Sequence, residues 1–284
     1  MARRDLRLFA LAAPAYLWLT VAVFLPLAVM FYFSFLSESP FGTAAASFTA
    51  DNYLTFFSRD FYSFLAWRSI KLGLLVAFLC ALIGFPAALI LSHRLSGYWR
   101  EALLLLVILP FWSNALIRIF AWTMVLRTDG IVDKAVKAVF PWAPSVGVLY
   151  SYPAVVIGLV HSFLPYMILT CYISLQAIDR SLIDAGRSLG ARDHTILRRI
   201  ILPLSLPGLV VGIVLTFVPV VGAFMEPRIL GGREGITLGT VIEDQFTEVF
   251  NWPLGAALSF IMLSIVLLIL AVFYPLLKSR FRLS

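Results

Sequence analysis

Apolar residues gather along this chain in six long blocks, at about 8–35, 69–92, 102–126, 151–176, 204–226 and 254–277, separated by shorter polar stretches. A helix needs about 20 mostly apolar residues to cross a bilayer, because it rises about 1.5 Å per residue through a hydrocarbon core about 30 Å thick. Each block is long enough, so the pattern predicts six transmembrane helices in one all-α integral membrane domain covering residues 1–284. The first block begins with basic residues and a small-residue Ala10-Leu11-Ala12, as a signal peptide does, but its apolar run is too long for a cleaved h-region. It reads as a retained anchor helix.

Within the blocks, Pro14, Pro26, Pro86, Pro110, Pro165 and Pro219 predict kinks, which a bundle tolerates where neighbours satisfy the freed carbonyls. Gly208 and Gly212, four apart, predict a face on which another helix approaches closely. Between the first two blocks, "DNYLTFFSRDFYSFL" offers aromatics either for an interfacial helix or for a cover on the bundle. No internal repeat or low-complexity tract interrupts the pattern.

Charge adds orientation. The N-terminus, 93–101, 177–203 and the C-terminal tail hold 13 of the 22 Lys and Arg against five acids, and the remainder holds nine against ten. The positive-inside rule then places both termini in the cytoplasm and turns 36–68, 127–150 and 227–253 outward. A composition 61% hydrophobic and 13% charged, with a mean hydropathy of +0.96, excludes an ordinary soluble domain. The net charge of +7 is explained by topology, with no basic patch of the kind that binds nucleic acid. Cys80 and Cys171 lie inside apolar runs, so neither a disulfide framework nor a metal site is expected.

The polar stretch at 177–203 is the most informative. Ser181 followed by Asp184 matches a capping box, so a short helix is expected from there, with Gly190 ending it. Asp193 is expected to cap a second helix, running until Pro203 and Pro207 mark the entry to the fifth span. Leu182, Ile183, Leu189, Ile196, Leu197, Ile200 and Ile201 offer apolar contacts beside the arginines, either to a partner or to the lipid surface.

Residue order distinguishes the two. Asp184, Ala185, Gly186, Gly190, Ile200, Leu202 and Pro203 resemble, at full spacing, the cytoplasmic loop of importer permeases of the ATP-binding cassette (ABC) class, with Asp for the more usual Glu and Gly186 for a second Ala. The resemblance implies a type I, MetI-like importer domain whose loop, Leu189 and Ala191 included, is a coupling helix gripped by a separate ATPase. It also implies the partners: two ATPase subunits, a second related permease subunit, and a periplasmic or lipid-anchored substrate-binding protein, all at the lipids of a bacterial cytoplasmic membrane. The chain has no Gly-x-x-x-x-Gly-Lys-Ser/Thr, so ATP and Mg are expected on the ATPase, and this subunit is expected to bind no cofactor and to be no enzyme.

Three further stretches, "LPFWSNALIRIFAW" at 109–122, "AVVIGLVHSFLPYMILTCYISL" at 154–175 and "ILGGREGITLGTVIEDQFTEVFNWPLGAALS" at 229–259, resemble the polyamine (putrescine and spermidine) branch of that class. A small flexible polycation calls for carboxylates and aromatic faces. Trp112, Asn114, Arg118, Tyr166, Phe224 and Glu226 form the candidate pathway, with Glu243, Asp244 and Glu248 beyond it. Glu226, at the outer end of the fifth span, either meets the cargo or neutralises Arg228. Arg118 either binds an anionic cargo or pairs with helix carbonyls or an acid, and the "LIRI" shared with amine permeases favours the second. His161 is expected to make a hydrogen-bonded helix contact. A proton-coupled transporter using His161, Glu226 and Arg118 is the alternative of another class.

Overall fold

Long apolar blocks fold as helices, and in the computed structural model helices joined by short irregular segments make up the described residues, with an isolated β-bridge between Leu36 and Phe48. It describes residues 2–39, 47–142, 144–145 and 147–281, with side chains described only between 13 and 272. The helices are α1 (Ala2–Ser34), α2 (Asp51–Ser58), α3 (Asp60–His93), α4 (Gly97–Ile108), α5 (Ala115–Leu126), α6 (Ile131–Val139) and α7 (Tyr152–Gln176). They continue as α8 (Arg180–Ser188), α9 (Asp193–Ile196), α10 (Leu202–Val221), α11 (Met225–Gly231), α12 (Leu238–Thr247) and α13 (Trp252–Phe281). Five stretches are long and apolar enough to cross a membrane, or six if the bent pair Gly97–Trp112 and Ala115–Val139 is one span.

That bent pair corrects the continuous third span expected at 102–126. Pro110 lacks an N–H, and Leu109–Trp112 tightens into a 3₁₀ turn. Ser113 is extended, and Asn114 restarts the helix by accepting a hydrogen bond from the Leu116 N–H at 2.8 Å. The two halves meet at 101°.

The chain divides into two compact units. Met1–Ser63 with Val241–Leu267 form one. Here α2 covers the end of α1: Asn52 Nδ2 donates to the Ser34 and Leu36 carbonyls at 3.1 and 2.8 Å, and Tyr53 shares a hydrogen bond with Ser34 Oγ. The opposite face of α2, with Leu54 and Phe57, is exposed, so the cover reading of this segment holds for one face only. Phe31 meets Phe260 edge to face at 5.3 Å, joining α1 to α13.

Phe64–Thr240 with Leu268–Ser284 form the other unit. Its centre is α7, which starts at Ser151 as the block pattern predicts, with the Ser151 hydroxyl capping Ala154 N–H and Pro153 in the first turn. Leu159, Met167, Cys171 and Leu175 are buried along it. On one side α10 lies against it through the expected small-residue face. A Cβ at Gly208 would overlap the Thr170 carbonyl and the Ser174 side chain, and one at Gly212 would stand 2.6 Å from Met167 Sδ. On the other side Gly84 of α3 lets Met167 in at 2.8 Å from where a Cβ would be. Dispersion contacts at such short helix separations hold a bundle together where lipid removes the hydrophobic drive. Between α5 and α7, α6 is tied by Asp133, fully buried yet accepting from Asp129 N–H, Lys137 Nζ and Ser145 Oγ at 2.8 to 2.9 Å.

The fifth span differs at both ends. Its helix is continuous from Asp193 to Val221, because a π turn at Leu197–Ile201 bridges α9 and α10. The wider turn makes room for the Pro203 ring against the preceding turn, so Pro203 does not stop the helix. At the far end α10 stops at Val221, and Phe224 and Glu226 belong to the start of the separate α11.

Candidate functional site

Loop 177–203 folds as a helical joint. Asp179, not Ser181, caps α8: its carboxylate accepts from the Ser181 N–H at 2.9 Å. Hydrogen bonds from the Ser181 backbone and hydroxyl hold the Asp179 carboxyl below its usual value of 3.8, so the cap is intact above that pH and lost only as acid protonates it. The far end closes as expected at Gly190, whose φ of +77° is open to glycine without strain. Gly190 N–H reaches the Arg187 carbonyl and Ala191 N–H the Gly186 carbonyl, at 2.9 and 3.1 Å, which is a Schellman closure. Arg192 occupies the cap position of α9, and Asp193 is its first residue.

Packing then sorts the seven apolar side chains. Ile183, Ile196 and Ile201 are buried, and Ile200 and Leu197 are half-buried against the same core. Gly186 lets this happen, since a Cβ there would meet Ile200 Cδ1 at 3.2 Å. Leu182 and Leu189 point outward, and Leu189 is 88% exposed at the joint. Ile183 and Ile196, counted among the contacts offered to a partner, instead turn into this chain's own core, and Leu182 and Leu189 are left exposed with Asp184, Ala185 and Arg187 around them. Arg187 stands 3.9 Å from Asp184 and 3.8 Å from Asp193, solvent-screened contacts that add little stability. Ala191 and Leu202 are half-buried, and Pro203 is exposed.

A cavity of about 320 Å³ opens elsewhere in the same unit, between the 3₁₀ turn, α5, α7, the end of α10 and the start of α11. Of the six candidate pathway residues, Arg118, Tyr166, Phe224 and Glu226 line it. Trp112, 88% exposed, and Asn114, committed to capping α5, do not. Phe111, Ser162 and Phe163 also belong to the wall. The Phe111 and Tyr166 rings meet edge to face at 4.6 Å, and Phe163 lies 6.0 Å from Tyr166. Glu226 accepts a hydrogen bond from Ser162 Oγ at 3.2 Å, across from α7. Ser162 is one of several polar residues in this helix, with His161, Thr170 and Ser174, and nothing in sequence spacing connects it to a residue 64 positions away.

Arg118 meets a carbonyl, one of the partners expected of it: Nη1 donates to the Pro110 carbonyl at 2.9 Å, fastening α5 to the turn before the break. Its buried Nε has no hydrogen-bond partner among the described residues. His161 meets the Trp122 ring at 5.3 Å, and its Nδ1 likewise has no partner among the described residues, so the hydrogen bond expected of it is not made through that nitrogen. Glu243 and Asp244 lie on α12 and Glu248 just after it, outside the cavity wall. Among the described residues no group of His, Cys, Asp and Glu is placed to hold a metal.

The class of this helical bundle follows from comparison with known proteins. Residues 82–283 match the family model "Binding-protein-dependent transport system inner membrane component". The chain is 34% identical over 257 residues to the spermidine/putrescine transport system permease protein PotB of Haemophilus influenzae, covering 90% of this chain and 89% of that one. Its identity to the Escherichia coli protein of the same description is 33%, covering 90% and 93%. The inner membrane ABC transporter permease protein YdcU of Escherichia coli is 26% identical over 278 residues, 94% and 88% of the two chains. A bacterial ABC transporter that imports alginate has the same fold at a TM-score of 0.77 and 18% identity, covering 98% of this chain and 96% of that one. The inward-facing MetNI methionine ABC transporter aligns with 76% of this chain at a TM-score of 0.58 and 19% identity. The chain belongs to the family of binding-protein-dependent transport system inner membrane components: it is a multi-pass ABC permease subunit of the inner membrane, not an enzyme.

Proposed function

We propose that this chain is one of two membrane subunits of an importer for polyamines, driven by two separate ATPases and supplied by a substrate-binding protein. Both termini and loop 177–203 face the cytoplasm. ATP and Mg are held by the ATPases, which grip α8 through Leu182 and Leu189; closure of the ATPases pushes the joint at Gly190 and rocks the helices around the cavity. Each state must bind cargo or partners differently for that push to become net transport.

The observation that carries the cargo assignment is Glu226, a carboxylate oriented by Ser162 in a cavity walled by Phe111, Phe163, Tyr166 and Phe224. The likeness to spermidine/putrescine permeases supports it. An ammonium about 4 Å from a carboxylate gains about 4 kcal/mol at an effective dielectric of 20, and an aromatic face adds about 0.5 to 2 kcal/mol. Glu226→Gln is expected to raise the polyamine concentration for half-maximal ATPase stimulation at least tenfold, and Ser162→Ala to raise it by a smaller factor, with basal hydrolysis unchanged in both. The assay is hydrolysis by the complex in lipid vesicles, with putrescine, spermidine, a sugar and an organic acid each presented on the binding protein. Stimulation by the acid that vanishes in Arg118→Gln, with no response to either amine, would contradict the polyamine assignment. Uptake that follows the proton gradient and ignores ATP would contradict the importer itself.

A further inference from the structure

The helix from Asp193 to Val221 crosses from the joint into the membrane without interruption. Its strongly apolar part, Leu202–Val221, is 20 residues long and so spans about 30 Å, the thickness of the hydrocarbon. Arg198 and Arg199 stand four and three residues before Leu202, at the polar end of this apolar run, where a span of that length brings the lipid headgroups. Both are exposed, and neither guanidinium has a hydrogen bond or ion pair among the described residues. Arg187 differs, being close to Asp184 and Asp193. Both free arginines fall within the π turn, whose buried side, at Ile201, is held in the core. Just beyond them Pro203 and Leu204 are exposed and apolar, a surface suited to acyl chains.

We propose that Arg198 and Arg199 bind the phosphate of an anionic phospholipid headgroup, which fixes the height of the π turn and hence of the joint above it. Guanidinium groups fit phosphate through two parallel hydrogen bonds and are weakly hydrated, so both favour this contact over bulk water. A zwitterionic headgroup carries a phosphate too, but its own ammonium offsets the attraction. Anionic lipid is therefore the ligand, and the exposed face of α8 at Leu182 and Leu189 remains for the ATPase.

The test is native mass spectrometry of the purified full chain with phosphatidylglycerol or phosphatidylcholine added to the micelle, repeated with the assembled complex. The chain is expected to retain phosphatidylglycerol in preference to phosphatidylcholine. Arg198→Gln with Arg199→Gln is expected to weaken that retention roughly thirtyfold, while Arg187→Gln leaves it unchanged and the ATPase stays bound in both. Equal retention of phosphatidylglycerol by the double variant and its parent overturns the proposal. Loss of the ATPase from the double variant also overturns it, because the two arginines would then belong to that interface.

Discussion

Leu189→Arg is expected to leave the chain folded and inserted while stripping it of its ATPase. The side chain is 88% exposed and sits on the last residue before the glycine joint, with a φ of −81° that any residue adopts. An arginine there meets water in the free subunit and changes its stability by little. In a partner's groove the same guanidinium loses its water without an acid to replace it, a penalty of about 3 to 5 kcal/mol, or more than a hundredfold in affinity. Co-purification from membranes measures it directly: the variant should reach the membrane in parental amount and carry almost no ATPase. Ile196→Arg is the control, because Ile196 is 3% exposed inside this chain and its replacement should damage the fold first. A stoichiometric ATPase on the Leu189 variant would show that the partner grips another face.

Gly208→Val is expected to cost the fold itself. The α7 and α10 backbones touch there, with no space for a Cβ beside the Thr170 carbonyl, and Gly212 repeats the contact one turn on. Because a carbonyl cannot swing aside as a side-chain tip does, the helices must part, at about 3 kcal/mol or more. Losing the close approach also forfeits the dispersion contacts of Met167 and Ser174 along the seam. Thermal unfolding in detergent should show a lower midpoint and a much reduced yield. Gly190→Ala provides the contrast: an added Cβ there meets nothing within 4 Å, and only the positive φ opposes it, by about 1 to 2 kcal/mol. A Gly208→Val protein that melts with the parent would mean that α7 and α10 do not pack as described.

Block length alone placed most of the spans, because a helix that must satisfy its backbone in lipid has few alternatives. The break at Ser113–Asn114 escaped that reading, since averaging over 20 residues hides two polar ones between apolar halves. Pro110 followed by Ser-Asn carried the signal, as a helix stop and a cap. The glycines at 190, 208 and 212 were legible because glycine has few uses besides positive φ and close approach. The capping box pointed to Ser181, and Asp179, two residues earlier, takes the role because the backbone path places its carboxylate at the first turn. Apolar spacing in 182–201 does not say which side chains turn inward, which is why Ile183 and Ile196 were counted with Leu182 and Leu189 among the outward contacts. Glu226 and Tyr166 were identifiable as chemistry, whereas their meeting with Ser162 and Phe111 around one cavity depends on how α7, α11 and the broken span assemble.

In the proposed importer the joint at Leu189–Gly190 is held by an ATPase subunit. Cys80 and Cys171 are both fully buried, so Leu189→Cys adds a single exposed thiol without further changes. Treating membranes that contain the assembled complex with a short thiol-reactive cross-linker should yield one adduct of this chain with the ATPase, at an intensity that changes when ATP is trapped. An assembled complex that gives no ATPase adduct from position 189, while a cysteine elsewhere on the chain gives one, would contradict the account.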